Sequence, residues 1–113
     1  MNNGLLPGGT PQKWTSAEFA LPTSSSQVLK VAHPLRQVPR IVAVSWVCKV
    51  AEQGYQPGWE IKGVYNTNYT IAASADQVFY VQSNQPQFLE YSSPGTGFYP
   101  TLGKWTIKFH LEL

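Results

Sequence analysis

Charge is what this chain has least of. Only 12% of its 113 residues are charged, where an ordinary soluble domain carries ~25%. Eight Lys/Arg against six Asp/Glu leave a net +2, and no clustered basic stripe accompanies it, so no nucleic-acid partner is expected. Cys48 is the single cysteine. No intrachain disulfide can therefore staple the fold, and a reducing site of synthesis is expected. No apolar run approaches the ~18–20 residues of a membrane span, and the N-terminus lacks the basic-then-apolar pattern of a signal segment, so no membrane insertion is expected. Helix signals are nearly missing too. Nine Gly and nine Pro punctuate the chain, and only Val50 to Gln53 could hold a helical turn, which Gly54 would end.

What is present is apolar and aromatic. With 42% hydrophobic and 13% aromatic residues, the chain can bury enough surface to offset its conformational entropy, which argues against disorder. Its length fits one domain. So small a domain buries only ~60–68% of its unfolded surface, and association with further copies would relieve that weakness.

Apolar positions alternate with period two, the pattern of strands. Residues 1–13 read as a Gly/Pro-rich arm or linker and 14–113 as one β domain, with Met1 to Thr10 as the attachment element. Strands are expected at Trp14 to Leu21, Val28 to Ala32, Arg40 to Ala51, Trp59 to Val64, Tyr69 to Ala73, Gln77 to Gln82, Gln87 to Tyr91 and from Trp105 to the end. A turn falls at Pro57-Gly58, a hairpin at Ser74-Ala75-Asp76, and a long structureless loop at Ser92 to Gly103. About six to seven short strands without helices indicate an all-β, antiparallel β-sandwich or barrel.

Arg40 to Ala51 is the most informative stretch. One face carries Ile41, Ala43, Ser45, Val47 and Lys49, and the other Val42, Val44, Trp46, Cys48 and Val50. Both are largely apolar, so a neighbouring subunit is expected to cover one of them, with Val42, Val44 and Trp46 at an oligomer interface.

Chemistry-bearing residues are few. His33 sits in a turn, His110 on the polar face of the last strand, and Asp76 in a hairpin. Cys48, mid-strand beside Trp46, reads as a small buried thiol rather than a nucleophile. No His, Cys or Asp pairs stand at metal-ligand spacing. Glu52, Glu60, Asp76, Glu90 and Glu112 are scattered, so the paired acids of a glycosidase are not in view. Gly8-Gly9 is no phosphate cradle. Neither an enzyme nor a cofactor is expected.

Binding is the class that the aromatics could serve. Rings next to amides complement a sugar, which offers apolar C–H faces and many hydroxyls. Tyr65, Asn66, Asn68 and Tyr69, with Trp59 and Tyr91, are the candidate carbohydrate contacts. The same rings would equally suit an ordinary loop or a subunit interface, and Asn66-Thr67-Asn68 equally suits a turn.

The run from His33-Pro34-Leu35-Arg36 through Pro39 and Val44, continuing as Cys48-Lys49-Val50-Ala51-Glu52-Gln53-Gly54-Tyr55 and Pro57-Gly58, resembles the small C-terminal domains of tailed-bacteriophage fibres and spikes. Those share a His-Gly-Leu-Gly-like loop, a Pro opening a long strand, and a Cys-Lys-x-Ala-Glu-x-Gly-Tyr-x-x-Gly segment. They are similar in turn to the H-type lectin fold, a trimeric antiparallel β-sandwich. Pro34 and Arg36 depart from the family's glycines, and Trp59 replaces an acidic residue. The resemblance implies a homotrimeric virion spike or fibre domain, made in a bacterial host's cytoplasm. It would bind host-surface polysaccharide without cleaving it and join other virion subunits through Met1 to Thr10. Beginning at Met1 after so short an arm, it is expected as a separate spike. The alternative is a head decoration or tail adaptor protein with no glycan binding.

Overall fold

The computed structural model of the chain describes residues 12–24, 27–63, 69–82, 87–91 and 95–113. The described residues are all-β and antiparallel, with one short 3-10 turn. In chain order the strands are β1 (Lys13–Thr15), β2 (Phe19–Ala20), β3 (Val28–Ala32), β4 (Arg40–Cys48), β5 (Glu60–Gly63), β6 (Tyr69–Ala73), β7 (Gln77–Gln82), β8 (Phe88–Leu89), β9 (Gly97–Phe98) and β10 (Trp105–Glu112), with the 3-10 turn at Leu102–Lys104. The larger sheet runs β1-β10-β4-β5, with β2 also pairing β10. A second runs β3-β7-β6, and β8 pairs β9.

The two larger sheets meet across one core. Trp46 and Phe109 of the first lie against Tyr69 and Tyr80 of the second, with ring centroids 5.5 and 5.9 Å apart. Strand β10 alternates as its sequence dictates: Trp105, Ile107, Phe109 and Leu111 are buried and the residues between them only half so. Phe88 and Phe98, from the small β8–β9 ribbon, close one end of the core against Trp46 and Trp105.

The first expected strand is split. Ser16 is buried, and its hydroxyl donates to the Ala17 carbonyl at 2.7 Å while accepting the Phe109 N–H at 2.8 Å. A side chain here stands in for the ladder, which separates β1 from β2. No helix forms at Val50 to Gln53. That segment leads into a two-residue hairpin in which Gln53 (φ 50°) and Gly54 (φ 90°) both take the positive φ of a type I′ turn. The long loop expected at Ser92 to Gly103 holds β9 and the 3-10 turn.

Strand β4 departs most from its sequence pattern. Its register with β10 pairs His110 with Ala43 and Leu111 with Ile41, so Val42 is the extra residue of a β-bulge. The bulge resets side-chain parity. Ile41 joins Val44 and Trp46 on the core side, and Val42 turns out to 37% exposure.

The burial pattern corrects two of the three interface residues expected on this strand. Residues 43–48 are buried on both faces within one chain. Val44 and Trp46 lie in the chain's own core, so of the three expected interface residues only Val42 reaches the surface. The outer face, with Ala43, Ser45 and Val47, is small enough for flanking side chains to roof. Lys108 of β10 reaches Glu60 of β5 at 2.9 Å, an ion pair that spans β4. His110 Nε2 sits 2.6 Å from the Ser45 hydroxyl. Stems of long polar side chains thus cover this face within the chain.

Arm residues Met1 to Thr10 lie outside the described residues, and β1 begins at Lys13.

Candidate functional site

Two turns leave β4 and build one end of the molecule. In the first, Tyr55 donates its N–H to the Glu52 carbonyl at 2.9 Å. In the second, Trp59 N–H donates to the Gln56 carbonyl at 3.0 Å and Gly58 takes φ 91°, the type II geometry expected of Pro57-Gly58. Gly58 N–H and the Trp59 carbonyl then bond back to the Cys48 carbonyl and N–H at 2.7 and 2.9 Å.

Glu52 fastens this region to the start of β10. Its carboxylate accepts the Thr101 N–H at 2.9 Å, the Thr101 hydroxyl at 2.5 Å and the Trp105 indole N–H at 2.9 Å, with Lys104 Nζ 3.7 Å away. Burial alone would raise this carboxyl; the Thr101 and Trp105 hydrogen bonds and the Lys104 charge outweigh it and hold the group below the usual carboxylate range.

On that base stand exposed rings. Tyr55 packs edge-on to Trp105 at 5.5 Å, and its hydroxyl donates to the Leu89 carbonyl at 2.8 Å. Burial pushes its phenol up. Tyr91, tied by its N–H to the Gln53 carbonyl at 3.1 Å, rests on Tyr55 at 5.7 Å and meets Trp59 at 5.0 Å, 77° between planes. Trp59 is 42% and Tyr91 57% exposed. Beside them opens a cleft of about 290 Å³ lined by Trp46, Tyr55, Ile61, Gly63, Gln87 and Leu89, among others.

The six candidate contacts fare differently. Trp59 and Tyr91, 32 positions apart in sequence, are brought together. Tyr65, Asn66 and Asn68 lie outside the described residues. Tyr69 is corrected: at 2% exposure it is a core residue, stacked on Tyr80 at 5.5 Å, and its ring presents no face to a ligand. Its position in β6 pairs it with Gln82 and points it inward. Its hydroxyl and the Trp46 indole nitrogen are buried without a hydrogen-bond partner among the described residues. Tyr55, the support of the platform, was not among the candidates, although it ends the Cys-Lys-x-Ala-Glu-x-Gly-Tyr run.

Among the described residues, no group of three or more His, Cys, Asp and Glu is placed to hold a metal ion. Comparison of the chain with protein-family models, curated proteins and solved structures finds no match.

Proposed function

We propose that the chain is a virion spike or fibre domain of H-type-lectin-like sandwich architecture that binds host-surface polysaccharide, without cleaving it, through the Trp59–Tyr91 platform. The observation that carries this reading is a pair of exposed rings in edge contact, one of them resting on the half-buried Tyr55, with a cleft alongside. Core packing does not require those two rings, whereas a sugar's C–H face stacks on such a surface and its hydroxyls bond to nearby amides such as Gln87.

Homotrimer assembly belongs to the same proposal. The surface that suits it is the outer face of β3-β7-β6, where the register pairs Val28 with Val81 and Lys30 with Phe79. Three weak sites on one particle would then act together, raising avidity by ~10²–10⁴ over one site.

Purified protein is tested on a glycan array and on host cells. Trp59→Ala and Tyr91→Ala are expected to weaken binding at least about tenfold, or ~1.4 kcal/mol, with the unfolding midpoint unchanged. Wild-type protein that binds no envelope sugar overturns the reading. Leu89, 63% exposed beside the platform, favours a second reading, a head decoration or tail adaptor in which these groups bury against another virion subunit. Particles lacking the protein would then be fragile yet adsorb normally.

A further inference from the structure

A second hollow lies on the outer face of the larger sheet, and its chemistry differs from that of the platform. β4 presents small residues there, Ala43 and Ser45, between strands that carry long ones. The result is a trough of about 220 Å³ whose lining includes Lys13, Thr15, Val42, Ala43, Lys62 and His110. That volume is below the ~300 Å³ at which drug-sized pockets begin, which suits one small ring.

The charges around it do not cancel. Among the described residues, Arg40, Lys49, Lys104 and Lys108 each have a carboxylate within ion-pair distance. Lys13, Lys30, Arg36 and Lys62 have none, and of these Lys13 and Lys62 converge on this trough. The one carboxylate in the lining, Glu112, is held by Arg40 at 3.0 Å. Polar groups that are not charged complete the set: the Thr15 hydroxyl lies 3.1 Å from His110 Nδ1, with His110 Nε2 on Ser45. Val42, turned outward by the bulge, and Ala43 add an apolar wall.

We infer that this trough is a subsite for the carboxylate of an acidic sugar residue, a hexuronate, held between Lys13 and Lys62 with its ring against Val42 and Ala43. The saccharide part rests on the glycan-binding reading above; the anion part stands on the charge arrangement alone. Lys62 also lines the cleft beside the platform, so one acidic polysaccharide chain can engage both.

The imidazole lies within reach of the same charges. Burial, then Lys62 and Lys108, hold His110 below its ordinary pKa, with Glu60 opposing. The groups facing it are Lys13 from β1, Arg40 from β4, Glu60 and Lys62 from β5, and Lys108 and Glu112 from β10. A bound carboxylate adds negative charge there and therefore raises the His110 pKa. By linkage, affinity rises as pH falls through that value.

The test titrates the full chain, followed by amide and histidine NMR, with glucuronate, glucose and acetate in separate arms. Glucuronate is expected to shift the Thr15, Lys62 and His110 signals and raise the His110 pKa. The Lys13→Ala, Lys62→Ala double variant is expected to lose this affinity at least about tenfold, while Trp59→Ala keeps it. Both lysines are exposed, so folding survives the change. Equal response to glucose and glucuronate, or an unmoved His110, overturns the inference. So does acetate binding as tightly as glucuronate, which would mark an anion hole without a sugar site. Glucuronate shifting only Trp59 and Tyr91 would sink this inference and leave the platform reading standing.

Discussion

Replacing Glu52 with alanine removes three hydrogen bonds to one carboxylate, two from Thr101 and one from Trp105. Thr101 is exposed, and its two donors can turn to water. Trp105 is 2% exposed, so its indole N–H stays buried and loses its partner. A hydrogen bond to a charged group contributes ~1.5–3 kcal/mol, and a stranded buried donor costs ~1–3 kcal/mol. Allowing for relaxation, the expected loss is about 3 kcal/mol, a large share of the ~5–15 kcal/mol by which domains are stable. Urea unfolding followed by tryptophan fluorescence measures it. Glu52→Gln keeps the shape and one acceptor and should cost about 1 kcal/mol. The sign with pH follows from the depressed carboxyl. Its stabilisation is present above the unfolded-state value and is lost as pH falls through the folded one. Wild type should therefore lose stability more steeply on acidification than Glu52→Gln. An alanine variant within ~0.5 kcal/mol of wild type, the range of an ordinary surface substitution, or two identical acid limbs, would refute the assignment of Glu52 as the fastener.

Gly63→Ala would set a Cβ 2.9 Å from Trp46 Cζ3 and 3.3 Å from the Tyr69 hydroxyl. Overpacking of this kind should cost ~1–3 kcal/mol, read from the same unfolding curves. Tyr69→Phe deletes a buried hydroxyl without a partner among the described residues and should leave stability equal or higher by about 1 kcal/mol. Tyr69→Ala should cost ~3–5 kcal/mol, as large aromatic truncations in cores do. A tolerated alanine at 69 would return that residue to the surface.

Strand existence was legible wherever alternation was uninterrupted: β3, β6 and β7 have the bounds the sequence suggests, and β10 ends one residue early. Two things were not. The bulge at Val42 is set by the register against β10, which a single strand's pattern cannot show, and it reversed the parity of Ile41. The cover over the outer face of β4 was not legible, because Lys108, Glu60 and His110 come from strands remote in sequence. At the candidate site, Trp59 was legible as a ring after a Pro-Gly turn and Tyr91 as a ring at a strand end. Their contact depends on Tyr55 and Gln53, which pairwise sequence reading does not connect. Tyr69 was misassigned for the opposite reason: its neighbours 65–68 are polar, while its own partner across the sheet is the buried Gln82. Arg36 takes φ 61°, a left-handed conformation that its side chain gives no hint of and that glycine adopts more readily.

The hydroxyl of Tyr55 closing on the Leu89 carbonyl has a thermodynamic corollary. Immobilising a rotamer-rich side chain on association usually costs ~0.5–1.5 kcal/mol. Trp59 and Tyr91 already brace one another over Tyr55, so their torsional freedom is surrendered when the chain folds rather than when it meets a visitor. A ligand bound there, as proposed, would meet a preorganised surface and be spared that cost.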